Sequence, residues 1–504
     1  MFKKFPALLT ILIIFSSACS YASGITTLAK GESDVLYDLR SELLVPDETA
    51  PEDYPPLISV LPEDNSSQEG KNTSTYTIVD TGQEVCYDND KIISCPSVNK
   101  PFYGQDAAYI GVQSSYIDNS DGTVTDLNTG LMWQQTPDLS NKKTFDQAIA
   151  GAETFDLAGY DDWRLPTIKE LYSLIDFNGS SFKQIPYIDT DYFDFRFGDE
   201  SAGERLIDAQ YWSSTEYIGT TGVSSATTFG VNFADGRIKG YGRTRPYRGE
   251  MVQFVRYVCG NPDYGVNKFA DNRDGTVSDS ATGLMWQTND SASTLNWEGA
   301  LRYCEDLETA GYGDWRLPNA KELQSIVDYT RAPDALDPTM QGAAIDPIFN
   351  LTETESWYWT STTHLDSPSV ENAVYIAFGQ AYGVGAGGEL FNIHGAGAQR
   401  SDPKSGDPTD YPDGRGTPGQ DDQVRIYNYA RCVRSGVEAV NLNDAQYADE
   451  SAVSDIAGEE IPTNVEQEPV IGEIQAPHKS AGGLLPEKAI QACSQLGIGG
   501  SCQF

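Results

Sequence analysis

The alternation of apolar and polar positions divides much of the chain into two matching series of elements. From Asp118 to Gln134, "DNSDGTVTDLNTGLMWQ" places extended stretches on either side of Asp121-Gly122. That pair supplies the positive φ of a tight turn, so the pattern predicts a β-hairpin. Phe145, Ala148, Ile149 and Ala152 then fall at helical spacing. A second helix is predicted after an Arg-Leu-Pro triplet, with Thr167 as N-cap, Glu170 three residues on, and Leu171, Leu174 and Ile175 as its buried stripe. "YWSST" (Tyr211 to Thr215) and "QFVRYV" (Gln253 to Val258) predict core strands.

The same order returns about 150 residues later. "DNRDGTVSDSATGLMWQ" (Asp271 to Gln287) repeats the hairpin around Asp274-Gly275. Trp297, Ala300, Leu301, Cys304 and Leu307 repeat the first helix. "AGYGDWRLPNAKEL" (Ala310 to Leu323) answers "AGYDDWRLPTIKEL" (Ala158 to Leu171), with Asn319 and Glu322 in the capping positions and Leu323, Ile326 and Val327 as the stripe. "YWTST" (Tyr358 to Thr362) and "YNYARCV" (Tyr427 to Val433) complete the second series. Two homologous domains in tandem follow, since a solenoid needs shorter and more numerous units. Each is α+β, an antiparallel sheet carrying two helices.

The ends differ in composition. Lys3 and Lys4 precede an apolar run, Phe5 to Phe15, and Ser20-Tyr21-Ala22 has the form of a cleavage site, so residues 1–22 are expected to be a signal peptide. A lipid anchor at Cys19 is the weaker alternative, because Ser16 stands where such sites usually carry Leu. Residues 23–75 and 437–480 are acidic, and the first stretch is rich in Pro; both are expected to be solvated linkers. The first domain is expected over 76–260, including a hairpin around Asp88-Asn89-Asp90. The second is expected over 261–436, and a small cystine segment over 481–504.

Charge then narrows the partners. Against 74 Asp+Glu stand 34 Lys+Arg, a formal net charge of -40, which leaves no general field to gather nucleic acid or anionic membrane. No segment beyond the leader approaches about 20 apolar residues, so no integral membrane segment is expected in the mature chain, which is expected to be secreted or periplasmic. A compartment of that kind permits disulfides. Cys86 with Cys95 and Cys493 with Cys502 would close local loops, and Cys304 with Cys432 would tie the first helix of the second domain to its last strand. The first domain has Ala152 and Tyr257 at the matching positions. Cys259 is left over by this count with its pairing open, and no His lies in the first domain to activate it as a nucleophile.

The run Gly-Thr-Val-x-Asp with Thr-Gly-Leu-Met-Trp, then Gly-Tyr-x-Asp-Trp-Arg-Leu-Pro with Lys-Glu-Leu, then Tyr-Trp-(Ser/Thr)-Ser-Thr, resembles the DUF1566 family, also called the C-terminal domain of the Legionella collagen-like adhesin. The resemblance covers about residues 102 to 436 in two copies. It implies two tandem C-type-lectin-like domains, and the helix-to-last-strand pairing of Cys304 and Cys432 is a bond such folds commonly carry. One branch of the family binds sulfated glycosaminoglycans. This chain lacks a collagen-like stalk and is strongly acidic, and it has neither of the Glu-Pro-Asn and Gln-Pro-Asp triplets of calcium-dependent lectins, so no lectin site carries over residue by residue.

Three groups of residues remain as candidate chemistry. The carboxylates Asp118, Asp121, Asp126, Asp271, Asp274 and Asp279 suit calcium, which takes oxygen ligands, but the calcium-loop spacing fails because Ile117 and Ala270 stand at the first ligand position. Turn chemistry is the favoured account, with calcium as the alternative and no other cofactor expected. Arg164 with Glu170, and Arg316 with Glu322, are expected to be packed and capping pairs. The segment between Gly383 and Val424 replaces a short connection of the first domain and contains "HGAGAQRSDPK". A long loop carrying His394, Gln399, Arg400, Asp402 and Lys404 on a rigid scaffold is expected to recognise a ligand. Only three His exist, His364, His394 and His478, and no nucleophile motif or phosphate loop is present. The expected function is a non-catalytic binding or adhesion protein facing a glycan or protein surface. The alternatives are a structural or envelope-assembly protein and a carboxylate-based hydrolase.

Overall fold

Both Asp-Gly turns close through their own side chains. Asp121 Oδ1 accepts from Thr123 N at 3.0 Å and Thr123 Oγ1 at 2.6 Å, and Asp274 treats Thr276 in the same way, while Gly122 and Gly275 take φ of 90° and 93°. The turns belong to a computed structural model that describes residues 74–222, 225–245, 249–385, 388–411, 422–435 and 438–439. The expected signal peptide with Cys19, nearly all of the two acidic linkers, and the Cys493–Cys502 segment lie outside these residues. No helix among the described residues is long and apolar enough to cross a membrane.

In the first copy the elements run β1 (Tyr116–Asp118), β2 (Thr123–Asp126), β3 (Leu131–Gln134), α1 (Phe145–Ala152), α2 (Ile168–Ser173), β4 (Gln210–Thr221), β5 (Ser225–Asn232), β6 (Arg237–Gly242) and β7 (Val258–Gly260). The second copy runs β8 (Phe269–Asp271), β9 (Thr276–Asp279), β10 (Leu284–Gln287), α3 (Trp297–Glu305), α4 (Ala320–Ser325), β11 (Trp357–His364), β12 (Asn372–Ala377), β13 (Gln399–Pro403) and β14 (Val433–Arg434). Each copy forms a four-stranded antiparallel sheet, β7-β3-β2-β1 in the first and β14-β10-β9-β8 in the second.

The three long strands of each copy join in one six-stranded sheet, β11-β12-β13-β6-β5-β4, through the pair Gln399↔Ile238. On one face α2 and α4 share a single apolar cluster that includes Leu171, Ile175, Leu323, Ile326, Phe229 and Val374. The helices are also cross-tied. Lys169 Nζ donates to Ser325 O at 2.6 Å, and its counterpart Lys321 donates to Ser173 O at 2.9 Å. Side chains alternate across a sheet, so the other face holds two separate clusters, one around Trp212, Phe145 and Trp163 and one around Trp297, Trp359 and Cys304.

Helix entry follows the capping chemistry. Thr167 and Glu170 form a reciprocal capping box on α2, and Asn319 and Glu322 form one on α4. The stripe of α1 is narrower than its spacing suggests, since Phe145 and Ala148 are buried while Ile149 is exposed. Among the described residues two disulfides are present, Cys86–Cys95 and Cys304–Cys432, and Cys259 is buried on β7. Arg256 and Arg431, which precede the last strand of each copy, are fully buried and donate to backbone carbonyls: Arg256 to Gln134, Gln135 and Asp194 at 2.5–2.7 Å, and Arg431 to Gln287, Thr288 and Asn350 at 2.6–2.8 Å among others.

One expectation is corrected. The segment read as a recognition loop contains β13, the third strand of the second copy and the strand that joins the two halves of the long sheet. Backbone pairing on both sides and cover on both faces hold it in place of loop freedom.

Candidate functional site

His394, Gln399, Arg400, Asp402 and Lys404 are all buried. Asp422 takes a hydrogen bond from His394 Nε2 and two from Arg400, at 3.1 Å from Nε and 2.5 Å from Nη2. Asp402 accepts from the backbone of Arg425 and Ile426 and from Asn428 at 2.8–3.2 Å. Lys404 Nζ reaches back to the N-terminal hairpin, donating to Asp88 O at 2.9 Å and lying 4.4 Å from the Trp297 ring. These residues strut the sheet against the returning chain. They present no exposed recognition surface in this structure.

The six carboxylates first weighed for calcium each accept local hydrogen bonds. Asp118 accepts from Ser120 N, Asp126 from Asn128 N and Thr129 N, and Asp271 from Arg273 N. Asp279 holds Lys268 N, Ala281 N, Asn267 and Thr282. No group of three or more metal-ligating side chains suited to an ion occurs among the described residues.

The Arg-Leu-Pro segments carry the functional contrast. Arg164 pairs with both oxygens of Glu170 at 2.6 and 2.5 Å, and Arg316 pairs with Glu322 at the same distances. Behind each pair a threonine hydroxyl accepts the first amide of the helix: Ile168 N donates to Thr215 and Ala320 N to Thr362, both at 3.0 Å. Their surroundings differ. In the second copy the N-terminal segment covers the site. Thr362 donates to the buried carboxylate of Asp106, Thr81 donates to the same oxygen at 2.9 Å, and the Arg316 guanidinium lies 5.4 Å from the Tyr109 ring. Arg316 is left 3% exposed, and only a cleft of about 170 Å³ remains beside it, bordered by Asp80, Gly111, Asn319 and Glu322.

In the first copy the equivalent surface is open. Arg164 is 34% exposed, Thr167 is exposed and Thr215 half-buried, and a cleft of about 330 Å³ runs over them. Lys169, Glu170, Tyr264 and Val266 line it, together with Tyr329 from the second copy. Burial holds Lys169 down to about 8. Hydroxyl donors, a partly exposed guanidinium and aromatic edges suit a polar ligand held by hydrogen bonds and ring contacts. Sequence reasoning placed Arg164 and Glu170 as a structural pair, which they are, and missed the cleft. The signal was the repeat itself: two identical motifs with only one covering segment ahead of them, near Asp106.

Burial, with Asp80 nearby, pushes Asp106 up to about 7. A carboxyl raised in the folded state stabilises while protonated, so its contribution is present at low pH and is lost as pH rises from about 4 to about 7. His364 and His394, held by burial down to about 4 and about 3, pull the opposite way below pH 6.5. The informative quantity is therefore a difference. Asp106→Asn keeps an acceptor for Thr81 and Thr362, and its stability relative to wild type should rise steadily between about pH 4.5 and 7 in denaturant titrations. A constant difference across that window would contradict the assignment.

A duplicated α+β unit whose copies share one sheet, with one motif surface covered and the other open, is the class of protein that the fold and site define. The family model of the Lcl C-terminal domain matches residues 122–256 and again 275–391, half of the chain, and the chain belongs to that family. No curated protein and no solved structure matches it.

Proposed function

We propose that the chain is an exported, non-catalytic binding or adhesion protein that presents the first-copy cleft to a glycan or protein surface. The observation that carries this reading is the contrast between the two equivalent sites, since the polar cleft over Arg164 and Thr215 stays open where its counterpart is sealed. Membership of a family named for an adhesin's C-terminal domain supports it. The two disulfides suit an oxidising compartment outside the cytoplasm. The bond from α3 to the last strand supports a C-type-lectin-like description of each copy.

Recognition through His394, Arg400 and Lys404 would require their internal contacts to break first, so the cleft takes the role first given to that segment. The test is capture of the full-length chain on arrays of glycans and matrix proteins. Val266 is 51% exposed at the cleft edge, so Val266→Trp fills the opening without disturbing the core. The expected result is capture that this variant abolishes, with the captured molecule recovered unchanged. Capture unaffected by Val266→Trp, or recovery of a cleaved product, would overturn the reading.

A further inference from the structure

The covered site of the second copy shows what such a surface accepts. Residues Asp106–Ala108 form a single 3-10 turn, followed by Tyr109 in extended conformation. The turn sets one carboxylate on the Thr362 hydroxyl and, three residues later, one aromatic ring beside the Arg316 guanidinium. Ala107 and Ala108 are buried between these two anchors. The carboxylate and the ring lie within one four-residue stretch, Asp106-Ala107-Ala108-Tyr109, with Thr81 sharing the Asp106 oxygen.

The first copy repeats the receiving half of this arrangement. Thr215 accepts from Ile168 N with the same 3.0 Å geometry that Thr362 has with Ala320 N, and among the described residues no acceptor takes the Thr215 hydroxyl proton. Arg164 makes the same two bonds to Glu170 that Arg316 makes to Glu322, and among the described residues no ring lies over it. What differs is that, among the described residues, no turn covers the 330 Å³ cleft. A carboxyl oxygen that accepts from a buried hydroxyl satisfies that donor, and an aromatic ring against arginine adds a cation–π contact.

We infer that the first-copy cleft is a docking site for a peptide segment of a partner protein that carries an aspartate three residues ahead of an aromatic residue. The aspartate bonds Thr215 and the ring covers Arg164, as Asp106 and Tyr109 do on Thr362 and Arg316. This rests on the binding reading above and narrows it from surfaces in general to a short acidic-aromatic peptide. A glycan offers hydroxyls and rings of a different kind and lacks the carboxylate-to-ring spacing that the second copy displays.

The test uses the full-length chain and a fluorescein-labelled synthetic peptide of residues 102–112, FYGQDAAYIGV. Fluorescence anisotropy should show saturable 1:1 binding. Replacing the peptide's Asp106 or Tyr109 by Ala should weaken it at least about tenfold, a change of about 1.4 kcal/mol. Arg164→Ala and Val266→Trp in the protein should do the same. If Arg164→Ala fails to fold, as circular dichroism would reveal, Val266→Trp decides alone, since Val266 is half exposed at the cleft edge. No binding up to about 1 mM peptide, or equal binding of the Asp106→Ala peptide, would overturn the inference. Array capture that Val266→Trp abolishes, alongside a peptide that does not bind, would remove the peptide and leave the cleft reading standing. Capture indifferent to Val266→Trp would remove both.

Discussion

Replacing Cys304 and Cys432 together by Ala should lower the stability of the chain by about 5 kcal/mol, because the bond closes a separation of 128 residues and its loss frees the unfolded chain. Both sulfurs are fully buried in the cluster around Trp297 and Trp359, so small cavities add to the loss. The first copy shows how the same place is held without the bond: Tyr257 takes the strand position, donates its hydroxyl to Ala148 O at 3.0 Å and packs its ring 4.7 Å from Phe155. Guanidinium titration of wild type and double variant measures the effect. A loss below about 1 kcal/mol would mean that packing alone fixes α3 to the last strand.

The second large effect is expected at Asp422. Asp422→Ala would take from the Arg400 guanidinium, fully buried in β13, a carboxylate that pairs with it through Nε and Nη2, at a cost of about 3–5 kcal/mol. His394, held neutral by burial, would lose its acceptor in the same step. A double variant, Arg400→Met with Asp422→Leu, should recover most of the loss, since a buried ion pair often gives way to apolar residues of similar volume at little cost. These outcomes separate a strut from a ligand site. If Asp422→Ala costs less than about 1 kcal/mol and yet abolishes capture, the residues from His394 to Lys404 act on a ligand.

How far the sequence could be read depended on where the signal lay. The hairpins around Asp121 and Asp274 and the capping boxes at Thr167 and Asn319 rest on local chemistry that the repeat displays twice, and both are visible in one dimension; the staple from Cys304 to Cys432, absent from the first copy, was legible through the family resemblance. β13 was not. Gln399-Arg400-Ser401-Asp402-Pro403 carries none of the β-branched or aromatic alternation that marks a strand. Its charges are tolerable only because Asp422, Arg425 and Asn428 meet them from a distant part of the chain. An ion pair between residues 22 apart leaves no periodicity to find. Arg256 and Arg431 escaped for a related reason, since they donate to backbone carbonyls, which every residue has.

The candidate site was half legible. Arg164, Glu170 and their counterparts stood out as a repeated motif, and their pairing followed from the capping pattern. Nothing in the spacing revealed that Asp106 reaches Thr362 across 256 residues, and without that contact the difference between a sealed site and an open one is invisible.

The central claim, that one of two equivalent motif surfaces is sealed by the chain itself and the other is left for a ligand, is tested most directly by chemical labelling of the two arginines. Treating the native full-length chain with an arginine-selective dicarbonyl reagent and following each site by mass spectrometry should show Arg164, 34% exposed, modified well before Arg316, 3% exposed, with Arg164 alone protected once the chain has captured its ligand. Equal rates at Arg164 and Arg316, or full labelling of Arg164 in the captured complex, would contradict it.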